Sequence, residues 1–202
     1  MSRPAARVRG EERRRRTEAK LLDAALAVFR ARGYDGATTG EMARAADVAA
    51  GTFYLHFRDK RAAYEAVARR AAHDLLAQWR AAMRPGMRVS ERVVLGLQLA
   101  ADFWRADVPR ARLLLEGGPS LGSEGHVRFV RELAAVLAAA PRTRRLVPTG
   151  ALAFLVVGLG IELGRLIVAE PAAADVDELI RLMRRSLGHL DVAPARSARW
   201  RR

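Results

Sequence analysis

The chain has 202 residues, half of them apolar, and carries 36 Lys and Arg against 22 Asp and Glu, a formal net charge of +14. This apolar content excludes a disordered chain, and the length suffices for a sizeable core. The absence of Cys excludes disulfides, thiol nucleophiles and Cys-ligated zinc and suits the reducing cytoplasm, while a pI near 11.5 points to a polyanionic partner.

Ala, Leu and Arg dominate, which favours helix almost throughout. Residues 1–10 are basic, show no apolar period and are expected to form a disordered arm. A helix is predicted from Glu11 to Arg32, with Leu22, Ala25 or Leu26, and Phe29 on one face and Gly33 ending it. Thr38 followed three residues later by Glu41 has the form of a capping box, so a short helix starts there and runs to about Ala46. Asp47-Val48 reads as a tight turn with Asp in the left-handed conformation. A second short helix follows from Ala50 to Leu55, and Ala49 before it offers no side-chain cap.

Asp59 caps a long helix in which Tyr64, Val67, Ala71, Leu75, Trp79 and Met83 recur at helical spacing before Pro85-Gly86 breaks the chain. Ser90 is expected to cap the next helix, apolar on both sides and therefore buried between neighbours. A short segment from Pro109 to Glu116, a glycine-rich loop from Gly117 to Gly125 and a helix from His126 to Ala140 come next. A long apolar helix spans Thr149 to Glu170, Pro171 stops it, and a last helix runs from Asp175 to Leu190 before a basic tail, residues 192–202. The first twenty residues hold no apolar signal segment, and the apolar stretch Gly150–Ile161 falls short of the roughly 20 residues a bilayer span needs. No membrane partner is expected.

Two short helices joined by a tight turn after a longer helix make a helix-turn-helix. The residues Thr38-Thr39, Met42-Ala43, Val48, Gly51-Thr52-Phe53-Tyr54, His56-Phe57 and Lys60 together resemble the N-terminal DNA-binding signature of the TetR family of bacterial transcriptional regulators, over about Ala19 to Val67. The resemblance implies an all-α protein in which an N-terminal helix-turn-helix domain precedes a helical ligand-binding and dimerisation domain. It also implies DNA contacts from Tyr54, His56 and Lys60, with Thr52 facing the groove. Tyr54 and His56 can equally serve only to pack the domain.

Thr39 stands at a helix N-terminus, where backbone N–H groups and its hydroxyl can meet a phosphate. Gly40, Ala50 and Gly51 occupy positions where the family often places long polar side chains. Base reading needs donors or acceptors, so specificity is expected from Thr52, Tyr54 and Arg44, supplemented by DNA shape. Residues 1–70 hold 16 basic and 9 acidic residues, a net of +7 in the first third of the chain. Phe29, Met42, Ala43, Val48, Phe53 and Phe57 are expected in the core.

Three tempting motifs fail. Gly118-Pro119-Ser120-Leu121-Gly122 fits G-x-S-x-G but lacks a preceding strand. The glycines of Gly158 to Gly164 miss the dinucleotide pattern by one residue. His73, His126 and His189 have no partner at metal-ligand spacing, so neither metal nor cofactor is expected.

The expected organisation is a disordered arm (1–10), a DNA-binding domain (11–60), a helical effector-binding and dimerisation domain (61–191) and a tail. The chain is read as a cytoplasmic, non-enzymatic regulator, a repressor that leaves double-stranded operator DNA when a small, largely apolar effector binds. The alternatives are a nonspecific architectural DNA-binding protein and, remotely, a hydrolase using Ser120. The effector site is expected among Trp79, Met83, Leu99, Phe103, Trp104 and Phe129, with Glu116 and His126 as polar groups. A homodimer is expected because two such motifs must reach successive major grooves. Its interface is expected along the small-residue stripe Ala153, Val157, Gly160 and Gly164 and on Leu179, Met183 and Leu187.

Overall fold

The computed structural model describes residues 3–116, 123–138, 149–170 and 175–187, with side chains from residue 7 in the first stretch and from 127 in the second; within these residues the chain is helix and turn throughout. The helices are α1 (Arg3–Gly36), α2 (Thr39–Ala45), α3 (Ala50–Tyr54), α4 (Lys60–Ala82), α5 (Val89–Arg105), α6 (Val108–Leu115), α7 (Ser123–Ala138), α8 (Thr149–Ala169) and α9 (Asp175–Ser186). They form two compact units, Met1–Ala72 with Pro109–Leu121, and His73–Val108 with Gly122–Arg202.

In the first unit, Leu21, Ala25 and Phe29 of α1 pack with Met42 and Ala43 of α2, Phe53 of α3 and Tyr64 and Val67 of α4, while Val48 is half-buried against them. The expected Gly33 stop is present as a break in α1, where Gly33 takes φ 70° and ψ 174°. At the other end of α1, the expected disordered arm is helical from Arg3 onward. Ala5, Ala6 and Arg7 favour helix, Pro4 falls in the first turn where it is tolerated, and Arg7 pairs with Glu11 at 3.2 Å.

The boundary between the units also falls later than residue 60. Ala63, Tyr64, Ala66 and Val67 of α4 are buried in the first core, which carries that unit to Ala72. Residues 109–116 join it, since Leu113 is buried there and its carbonyl accepts a 3.1 Å bond from the Tyr64 hydroxyl. Burial, with Tyr34 alongside, pushes the Tyr64 hydroxyl up to about 12, so it remains a donor.

The second unit is built on α5, which packs against α7, α8 and α9 and is buried on both sides, as its pattern predicts. Its start is not capped by Ser90, which is buried inside the helix. Glu91 instead accepts the Arg88 backbone N–H at 2.8 Å. On α4, Leu76 and Trp79 enter this core. The Trp79 indole lies so close to Gly96 that a side chain there would strike the ring.

α8 is long and apolar enough to cross a membrane, yet half of that span is buried in the unit's core. Its small-residue stripe is where the structure departs from expectation. Ala153, Val157 and Gly164 are buried within the chain. Gly160 sits against α5: its carbonyl accepts the Trp104 indole N–H at 3.1 Å, and a Cβ there would lie 3.6 Å from that of Ala100. Gly160 therefore serves contact with α5 of the same chain, and the other three residues of the stripe are buried inside the subunit. The outward face of α8 carries Phe154 (60% exposed), Leu155 (60%) and Leu159 (40%). On α9, Val176 and Ile180 are buried, Met183 and Leu187 are half-buried against the same core, and Leu179 and Leu182 face outward.

Candidate nucleic-acid interface

Local chemistry shapes the helix-turn-helix. The Thr38 hydroxyl accepts the Glu41 backbone N–H at 3.2 Å while the Glu41 carboxylate accepts the Thr38 N–H at 3.1 Å, closing the expected capping box. The bonds from the Thr38 hydroxyl and backbone hold the Glu41 carboxyl below its ordinary range. Asp47 takes the left-handed conformation at φ 54°, and Val48 N–H returns to the Ala43 carbonyl at 3.0 Å. α3 then begins at Ala49 without a side-chain cap. Its register is set by Phe53, wholly buried, and its end by the Phe57 N–H, which donates to the Phe53 carbonyl at 2.9 Å.

This anchoring leaves the other side of α3 open. Ala50, Gly51 and Tyr54 are exposed, Thr52 is half-exposed, and Arg44 on α2 is exposed. The Thr39 and Tyr54 hydroxyls meet at 3.0 Å, bringing together two of the expected DNA contacts. His56 is half-buried beside Phe57, with ring centroids 6.4 Å apart, and its Nδ1 is enclosed without a hydrogen-bond partner.

Lys60 has a role that its place in the sequence does not reveal. Its Nζ donates to the carbonyls of Tyr34 at 2.8 Å and Asp35 at 3.1 Å and lies 4.6 Å from the centre of the Tyr34 ring. It thus ties the chain just after the Gly33 break to the start of α4. Two of its three ammonium hydrogens are used, which leaves one for a phosphate. Leu55 has no role legible in the sequence, yet at 73% exposure it stands clear of the core beside Tyr54. The only signal for it is its position relative to Phe53 around the helix axis.

The residues expected at an effector site divide between the units. Trp79 and Phe103 are buried in the second unit, and Met83, Leu99, Trp104 and Phe129 are half-buried around its core. The Trp104 N–H is occupied by Gly160, whereas the Trp79 N–H is buried without a partner. Glu116 is exposed and belongs to the first unit, because the end of α6 folds with that core. The side chain of His126 and the segment holding Ser120 lie outside the described residues, as do residues 188–202. No group of His and carboxylate residues suited to a metal occurs among those described.

Residues 21–67 match the family model for bacterial regulatory proteins of the tetR family. No curated protein matches the chain. Among solved structures, the fatty acid degradation regulator FadR of Bacillus halodurans is 20% identical with a TM-score of 0.68, over 84% of this chain and 93% of its own. A tetR-family regulatory protein of Rhodococcus RHA1 is 22% identical with a TM-score of 0.61, covering 85% and 97%. FadR of Bacillus subtilis, solved in complex with stearoyl-CoA, is 16% identical with a TM-score of 0.62, covering 84% and 97%. The sequence match to the tetR family model is confined to residues 21–67, around the helix-turn-helix, and the fold shared with these solved structures runs on through the helices that follow it.

Proposed function

We propose that the protein is a cytoplasmic repressor that holds operator DNA as a homodimer and releases it when a small, largely apolar effector enters the second unit. The observation that carries this reading is the pairing of an exposed α3, in a unit rich in basic residues, with a separate helical unit whose core is ringed by half-buried Met83, Leu99, Trp104 and Phe129. Apolar residues at the margin of a core favour an apolar ligand. Because one structural relative was solved with stearoyl-CoA, long-chain acyl thioesters and fatty acids are the first class to test.

The exposed large apolar side chains of α8, and Leu179 and Leu182 of α9, support dimerisation through the last two helices, since clustered exposed apolar surface marks an interaction site. Lys60, Thr39 and Tyr54 would hold the phosphates, and Thr52 and Arg44 would face the bases. The test is enrichment of duplexes from a random pool, followed by anisotropy of the enriched duplex with and without stearoyl-CoA or palmitate. One enriched sequence, released by an acyl compound, supports the reading. Equal affinity for all duplexes favours an architectural protein, and an enriched duplex indifferent to acyl compounds overturns the effector class.

A further inference from the structure

The outermost line of α3 carries no hydrogen-bonding side chain. Phe53, wholly buried, fixes which direction points inward. At about 100° per residue, Gly51 and Leu55 each stand within about 20° of the line opposite Phe53. Leu55 continues the helical path at φ −72° and ψ −18°, so this geometry extends to it. It is 73% exposed, more than any other large apolar side chain among those described. One turn earlier, Gly51 offers no side chain, and a Cβ there would meet nothing within 4 Å. The helix thus presents bare backbone and one leucine at its crest.

Single exposed leucines are ordinary on protein surfaces; this one is set apart by its place at the crest of α3 in a basic unit, and that charge narrows what it can meet. Its surroundings are basic, with 16 Lys and Arg against 9 Asp and Glu over residues 1–70, and Arg44 and Arg58 are exposed nearby in sequence. A polyanion that also offers an apolar group in a groove wide enough for a helix is duplex DNA, whose major groove presents one apolar feature, the 5-methyl group of thymine.

We propose that Leu55 reads the 5-methyl group of a thymine in each operator half-site, with Gly51 allowing the backbone of α3 to approach the base edges. Readout here is by apolar contact, which accounts for a reading helix with Ala50 and Gly51 where polar readers could stand. This inference rests on the DNA-binding reading above.

The test uses the duplex enriched by the wild-type protein, rebuilt with deoxyuridine replacing each thymine in turn, which removes the methyl group alone. One thymine per half-site is expected at which deoxyuridine weakens wild-type binding about three- to fivefold, the scale of one buried methyl group. Leu55→Ala, an exposed substitution, should bind the thymine and deoxyuridine duplexes equally, and Leu55→Gln should likewise lose the preference. Indifference of the wild type to every such replacement overturns the proposal, as does a methyl preference that survives in both variants. A pool yielding no enriched sequence overturns the DNA-binding reading itself, and the proposal with it.

Discussion

The hydroxyl groups of Thr39 and Tyr54 lie 3.0 Å apart, so the first residue of α2 and the last of α3 share one hydrogen bond at the exposed rim of the motif. One hydroxyl donates to the other, and the second hydrogen is left free for an outside acceptor. A phosphate oxygen placed there would meet the two residues as a unit. Tyr54→Phe and Thr39→Val should each weaken binding to all duplexes alike, and the double variant should lose less than the two losses combined, by about 0.5–1 kcal/mol. Anisotropy titrations over the four proteins give the coupling. Strictly additive losses would mean that the residues serve separate phosphates.

Lys60 supports the fold through the carbonyls of Tyr34 and Asp35. Lys60→Met keeps the stem and removes the charge, leaving those carbonyls to water. It should lower the stability of the first unit by about 1–2 kcal/mol, read as a reduced urea midpoint. The remaining N–H adds a second expectation: with one phosphate fewer neutralised, the slope of log affinity against log salt should fall by about 0.9. A changed slope with an unchanged midpoint would make Lys60 a phosphate ligand alone.

Tyr64 makes the first unit sensitive to alkali. Its hydroxyl is pushed up to about 12 from an ordinary value near 10 by burial, with Tyr34 contributing. The folded protein therefore keeps this proton where the unfolded chain releases it. The resulting stability is fully present below pH 10 and is lost as pH rises through about 12, at most about 3 kcal/mol. Urea midpoints measured from about pH 9 upward should fall in the wild type and fall less steeply in Tyr64→Phe. Parallel curves would assign the loss to other groups.

The legible parts of this protein are those in which cause and effect are neighbours in sequence. Thr38 and Glu41 make their cap within one turn, Asp47 bends the chain at its own φ, and Ala49 fails to cap because of its own side chain. Lys60 reaches carbonyls 25 and 26 residues away, and spacing carries no trace of such a reach. Gly160 within the small-residue stripe marks a close helix–helix approach, but a small residue does not say whether the partner is α5 of the same chain or a second copy. Leu55 is illegible for a different reason: α3 is too short for periodicity to separate an inward from an outward apolar residue. It takes the burial of Phe53 to show which way Leu55 points.

The same distinction gives the dimer prediction its form. Gly160 lies against Ala100 and holds the Trp104 indole, so a bulky side chain there disturbs the packing of α5 on α8 inside one subunit. Gly160→Leu should cost about 1–3 kcal/mol by overpacking, seen as a lower unfolding midpoint. Leu155 projects outward from α8 with Phe154 and Leu159, well exposed among the described residues. If this ridge meets its mate across a two-fold axis, Leu155→Arg places two charges in one interface. That variant should keep its helical circular dichroism, sediment as a monomer and lose operator affinity with every DNA-facing residue intact, because two motifs must engage successive grooves together. A Leu155→Arg protein that remains dimeric and binds its operator normally would move the interface off α8 altogether.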